Sequence, residues 1–331
     1  MTAAPASAPR SSRMTVGAWQ RLFRDRPLVP LSALLIVLVV ALEQIQPGTV
    51  SAGWVGVTIR AAIPLAILGA CQTLTMLTGG VDLSVGMIAS MAAFVMATQM
   101  PMQGPIVAIG MALAVAIIAG LINGIGVGVF KVHPLIMTLG LSLVILGVMT
   151  VYQLAVVKSG TRVPDFLQWL GSETTAQALP NSLLIFGPLA ILIIGGLRYS
   201  GFGRLLFAVG DNPVAARLSG VRVWGVLVAL YVLSALLAAI AGFLVSGLVK
   251  TATVSLVEQS VLPSVAAAVI GGTSILGGRG GYSGTIIGAL ILTVVTSLLN
   301  ALGMPEAAKQ ILFGAIIVAV AAAYTRVTGE S

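Results

Sequence analysis

The chain has 331 residues, of which 58% are hydrophobic and only 8% charged, with a net charge of +8. A soluble domain carries about 25% charged residues, so this composition excludes a chain that covers itself with a water-facing surface. The positive balance does not indicate nucleic acid either, because the cations flank apolar runs and no basic aromatic platform accompanies them.

Residues 1–27 form a polar tail with Arg10, Arg13, Arg21, Arg24 and Arg26. The first apolar run, Leu28 to Ile45, ends without a small-residue cleavage site and reads as a retained span. Trp54 to Leu77 is the second span. The pattern then breaks at Thr78-Gly79-Gly80-Val81-Asp82-Leu83-Ser84-Val85-Gly86. A third span runs to Met100, Pro101 to Pro105 make a tight turn, and a fourth covers Ile106 to Phe130. The fifth runs from Pro134 to Val156.

Residues 157–181 read as an external loop with a short amphipathic helix around Phe166, Leu167, Trp169 and Leu170. The sixth span is Ser182 to Leu197. Residues 198–222 are polar and basic, and they hold a short helix with readable ends. Asn212 is a good N-cap, Pro213 suits the first helical position, and Gly220 suits the left-handed position after the last turn. The seventh span is Val223 to Val249. Val261 to Ile270 is apolar but too short to cross upright, and it runs into the glycine-rich segment Gly271 to Gly281. It reads as re-entrant or as stopping midway, as broken helices do where they line a cavity. Thr285 to Leu302 and Gln310 to Tyr324 complete the set, before a short tail at 327–331.

The expected fold is an all-α integral membrane protein. It has about ten transmembrane or partly re-entrant helices within residues 28–326, broken at two glycine-rich segments. A β-barrel would show short alternating segments, and these runs are continuous. Ten crossings place both termini on one side. With that side cytoplasmic, twelve cations fall inside: Arg10, Arg13, Arg21, Arg24, Arg26, Lys131, Arg198, Arg204, Arg217, Arg222, Arg279 and Arg326. Four fall outside: Lys158, Arg162, Lys250 and Lys309. The positive-inside rule favours this orientation.

Enzyme signatures are missing. No G-x-x-x-x-G-K-[ST] phosphate loop occurs, so the chain does not hold ATP in that manner. His133 is the sole histidine and Cys71 the sole cysteine, which argues against a metal centre and against an internal disulfide. No catalytic residue is assigned. Asp82 stands beside membrane-depth sequence, where a charge is costly. It is expected either to cap the following helix or to contact a solute or gate. Arg60 is expected to snorkel from its span to the interface.

Gly79, Gly80, Gly271, Gly272, Gly277 and Gly278, with Asp82 and Ser84, mark two similar breaks and are the candidate gating elements. An internal duplication and a chance echo both account for the similarity. Gln72, Asn123, Thr138 and Asn300 are polar positions within spans, and they are candidates for lining a pathway or for bonding between helices.

The run Leu77-Thr78-Gly79-Gly80-Val81-Asp82-Leu83-Ser84-Val85-Gly86 resembles the signature segment of the ribose-type sugar permeases of bacterial ABC importers. Further pieces resemble the same family in order: Lys131 to Gly140, Phe202 to Gly220, Ala268 to Gly278 and Gly284 to Ala289. The likeness extends from about Ile59 to the C-terminus. The stretch Ser255 to Ser264 departs from the family's usual glycine-rich, acidic run.

The resemblance implies a permease subunit in the bacterial inner membrane, surrounded by lipid and paired with a second copy or a paralogue. It implies a cytoplasmic ATPase dimer, which holds ATP and magnesium, and an extracytoplasmic sugar-binding protein. This chain is then not an enzyme and binds no cofactor itself. The helix carrying Asn212, Pro213, Ala215, Ala216, Arg217 and Leu218 is the expected contact with the ATPase, making residues 198–222 the coupling loop. The competing reading is an ion-gradient-driven secondary transporter of a small polar solute.

Overall fold

The computed structural model describes residues 28–328 except 156, 158, 159 and 177. The arginine-rich tail at 1–27, Lys158 and residues 329–331 lie outside the described residues. Twelve helices follow in chain order among those described: α1 (Leu28–Ile45), α2 (Ala52–Leu77), α3 (Val85–Gly128), α4 (Pro134–Ala155), α5 (Asp165–Ser172), α6 (Leu183–Tyr199), α7 (Gly201–Asp211), α8 (Pro213–Leu218), α9 (Val223–Val249), α10 (Val261–Ile270), α11 (Tyr282–Ala301) and α12 (Glu306–Thr328).

The all-helical expectation holds apart from one two-stranded antiparallel ribbon, β1 (Thr174–Ala176) with β2 (Leu179–Pro180). Asn181 organises it. Its Oδ1 accepts from the Thr175 N–H at 2.9 Å and from the Thr175 hydroxyl at 2.6 Å, while its Nδ2 donates to the Trp169 carbonyl.

At 1.5 Å per residue, a straight α3 would measure about 66 Å, twice the hydrocarbon thickness of a bilayer. It is not straight. Gly104 takes φ 75° and ψ 171°, a conformation open to glycine alone, with Pro101 and Pro105 beside it. Beyond it the chain doubles back, because Asn123 Nδ2 donates to Ser84 Oγ at 2.8 Å across 39 residues of sequence. The midpoint of that pair falls at Gly104. The element is a helical hairpin, and its turn lies where the sequence places one.

The returning arm packs on the first half of α9. Gly120, Gly124 and Gly128 form a stripe against it. A Cβ on these glycines would stand 2.6 to 2.9 Å from α9 backbone at Tyr231, Val228 and Trp224. Only bare backbone permits that approach. The outgoing arm reaches the second half of α9, where Gly242 faces the carbonyl of Ala89. α2 is the most enclosed long helix, buried from Ala62 to Leu77 except at Leu65.

Among the described residues, six helices are long and apolar enough to cross a bilayer, or seven if the bent pair α6 and α7 counts as one span. The expected ten crossings are not reproduced one for one. The third and fourth form a single folded element, and α10, with ten residues, is about 15 Å long and covers only half the hydrocarbon.

On the opposite face from α8, the expected amphipathic helix is α5. Leu167 and Leu170 are buried, while Phe166 and Trp169 are exposed. Arg60 reaches out of its span to a specific partner: its guanidinium donates to the Ser172 carbonyl, at the negative end of α5.

Candidate functional site

The two glycine-rich breaks meet in space. After α2, Thr78 and Gly79 turn the chain, Gly79 with φ 78°. After α10, Gly272 turns it with φ 89°, and Thr273 N–H closes on the Ala268 carbonyl at 3.0 Å. Gly278 N–H then donates to the Leu77 carbonyl at 3.0 Å. A Cβ on Gly277 would stand 3.1 Å from the Gly79 nitrogen and 2.8 Å from the Gly210 carbonyl oxygen.

Gly210 is the third member of this knot. A Cβ there would run into the Leu77 carbonyl oxygen and stand 2.7 Å from the Gly278 nitrogen. Gly210 lies at the end of α7, a helix that the reading of residues 198–222 as a loop with one short helix misses. Its signal is present in the sequence. Ser200 is an N-cap whose hydroxyl accepts from Gly203 N–H at 3.0 Å, and Phe202, Leu205, Leu206 and Val209 recur at helical spacing. Leu206 and Val209 are buried, and α7 leaves α6 at an angle of 64°.

α8 follows α7 directly, with the ends read from the sequence. Asn212 Oδ1 accepts from Val214 N–H at 3.0 Å and from Ala215 N–H at 2.9 Å. Pro213 occupies the first turn, and Gly220 takes φ 85°. Of the residues expected to face a partner, Ala216 instead turns inward and is buried by its own chain. Ala215, Arg217 and Leu218 are exposed, as is Val214. Val214 at 62% and Leu218 at 85% lie one turn apart and make an apolar outward edge. Asp211, just before α8, lies against Gly278, with 3.2 Å from the Asp211 Cα to a Cβ built there.

Asp82 occupies a separate, buried polar cluster. It is 1% exposed, and its Oδ1 accepts from Ser84 N–H at 2.9 Å and Ser84 Oγ at 2.6 Å. Its Oδ2 accepts from Ser234 Oγ at 3.2 Å. The carboxylate thus fixes a local turn at Ser84 just before α3 and does not cap that helix, whose first N–H groups receive no side-chain bond. Ser234 lies eleven residues into α9, about 16 Å along its axis, so the break after α2 is deep inside the helix bundle rather than at its end.

Gln72, Asn123 and Thr138 are part of this cluster and fully buried. Gln72 brackets the backbone of Asp82, donating to its carbonyl at 2.8 Å and accepting from its N–H at 3.3 Å. Thr138 Oγ1 accepts from Leu83 N–H at 3.1 Å, and Asn123 Nδ2 reaches Ser84. The structure therefore places these three in bonds between helices rather than on an open path. The Asn123 Oδ1 is buried without a partner. Asn300 stands apart, exposed beside a cavity of about 410 Å³ lined also by Gln46, Thr49 and Ser297.

Comparison with known proteins bears on this arrangement. Residues 56–321 match the family described as branched-chain amino acid transport system / permease component. The fructose import permease protein FrcC of Rhizobium meliloti is 31% identical over 267 residues, covering 77% of this chain and 72% of that protein. The ribose import permease protein RbsC of Escherichia coli strain K12 is 31% identical over 255 residues, covering 76% and 79%. The galactose/methyl galactoside import permease protein MglC of Haemophilus influenzae is 31% identical over 282 residues, covering 79% and 81%. No solved structure matches the chain.

Proposed function

The chain belongs to the permease family whose pattern spans residues 56–321, and on that premise we propose that it is the membrane-spanning subunit of an ATP-driven importer for a monosaccharide. The family description names branched-chain amino acids and not sugars. The names of the three relatives, which are fructose, ribose and galactose/methyl galactoside import permeases, support the sugar class.

The observation that carries the coupling proposal is the knot of Leu77, Gly210 and Gly278. It joins the base of α8 to both broken helices. In the proposed mechanism a cytoplasmic ATPase dimer holds ATP and magnesium and grips α8 by the edge formed by Val214, Ala215 and Leu218. Closure of the ATPase displaces α8, and with it Asp211 and Gly210. Because Gly210 touches Leu77 and Gly278 without side chains between them, the displacement passes to the breaks after α2 and α10. That shifts the bundle between two arrangements, one open to each side. A second copy or a paralogue completes the pathway, and an extracytoplasmic binding protein delivers the sugar. Charge asymmetry supports the bacterial inner membrane with α8 on the cytoplasmic side.

Val214→Glu and Leu218→Glu test this reading. Each buries a carboxylate in the proposed contact, so assembly with the ATPase and sugar-stimulated ATP hydrolysis should both fall. Normal coupling in both variants refutes docking at α8.

A further inference from the structure

A cavity of about 800 Å³ opens between the end of α3 and the start of α9, with α8 contributing to its wall. Three cations line it: Lys131, Arg217 and Arg222. No acidic side chain does. All three are exposed, and none belongs to an ion pair among the described residues. Lys131 holds a left-handed backbone, φ 57°, where a residue other than glycine is strained. Three like charges around one cavity repel one another unless an anion joins them.

The rest of the lining is apolar. Val127 and Leu227 form walls, and Trp224, half exposed, shares the cavity with the cations. Outside it, Phe130 at 73% and Ile136 at 67% continue as bare hydrocarbon surface. A free inorganic anion would use the cations and leave the apolar walls uncovered. A soluble acidic peptide would have no use for the exposed Phe130 and Ile136 alongside. A molecule with a phosphate at one end and hydrocarbon at the other satisfies both parts.

We propose that this cavity binds an anionic phospholipid, its phosphate among Lys131, Arg217 and Arg222 and its acyl chains along Val127 and Leu227. Arg217 belongs to α8, and Lys131 and Arg222 flank the ends of α3 and α9. A bound lipid therefore fastens the small helix to the bundle. The inference needs only that the chain lies in a membrane, so it stands or falls separately from ATPase docking.

Trp224 supplies the probe. With Trp19, Trp54 and Trp169 changed to Phe, the full-length chain has one tryptophan, inside the cavity. The chain is placed in phosphatidylcholine vesicles holding equal mole fractions of acyl-brominated phosphatidylglycerol or acyl-brominated phosphatidylcholine. The brominated phosphatidylglycerol should quench Trp224 in clear excess. The preference should fall about fivefold for each cation changed to Gln, and vanish in K131Q/R217Q/R222Q. R217K/R222K should keep it, which separates loss of charge from loss of fold. Equal quenching by the two lipids in the parent chain overturns the assignment and leaves the cations to a protein partner. So does an undiminished excess in the triple Gln chain, or loss of the excess in R217K/R222K.

Discussion

Gly278 donates its backbone N–H to the carbonyl of Leu77, and Gly210 fills the space beside that bond with no side chain at all. Three segments far apart in sequence touch there through main chain only. Gly210→Ala should therefore be severe, since the new methyl has nowhere to go. Overpacking of this kind costs about 1–3 kcal/mol. Thermal unfolding in detergent should show a lowered midpoint, and sugar uptake should fall more than stability does. Gly187→Ala, in α6 with no atom within 4 Å of its added Cβ, is the control and should be neutral or slightly stabilising.

Gly104 makes a cleaner backbone experiment. Nothing lies within 4 Å of a Cβ placed on it, so crowding plays no part. Gly104→Ala should still destabilise by about 1–3 kcal/mol, because φ 75° with ψ 171° is closed to alanine. Denaturation of the purified chain measures this, and an unchanged midpoint would show that the α3 hairpin does not need the glycine.

Asp82 separates hydrogen bonding from charge. Asp82→Asn keeps an oxygen for Ser84 and offers an amide to the Ser234 hydroxyl, so the chain should assemble and transport. Asp82→Ala strands Ser84 N–H and both hydroxyls in a buried site, with an expected loss of about 2–3 kcal/mol. Uptake and unfolding midpoints for the pair decide. Inactive but stably folded Asp82→Asn would mean that the negative charge itself is needed.

Arg60 holds α5 by its final carbonyl. Arg60→Ala should remove about 1.5–3 kcal/mol of local stability, the range for a hydrogen bond to a charged group. Hydrogen exchange should then quicken within Asp165–Ser172 while α2 stays protected.

Much of this was legible in the sequence where a local rule applied. The ends of α8 follow from Asn212, Pro213 and Gly220, each of which acts within four residues of itself. The turn at Gly104 follows from two prolines bracketing a glycine. What escaped depended on partners remote in sequence. Gln72, Asn123 and Thr138 read either as pathway residues or as bonds between helices, because polarity inside an apolar span does not say what it faces, and here it faces Asp82, Ser84 and Leu83. Arg60 found a carbonyl 112 residues away. The helix α7 was missed for another reason. Its apolar positions sit in a segment whose arginines set the average, so the period was present while the composition concealed it.

The pairing of α10 with α11 bears on biosynthesis. Gly284 abuts the carbonyl of Gly271, and Gly288 that of Ala267, so the two helices fit together along bare backbone. α10 alone is too short to satisfy the translocation machinery as an independent span. One side of it meets α2, already made, through Met76 against Val265 and Val269, but the side toward α11 is covered only when the ribosome has delivered Gly284 and Gly288. Residues made later thus complete the seat of earlier ones, and a chain stalled before Gly284 leaves one side of Val261–Ile270 without its partner.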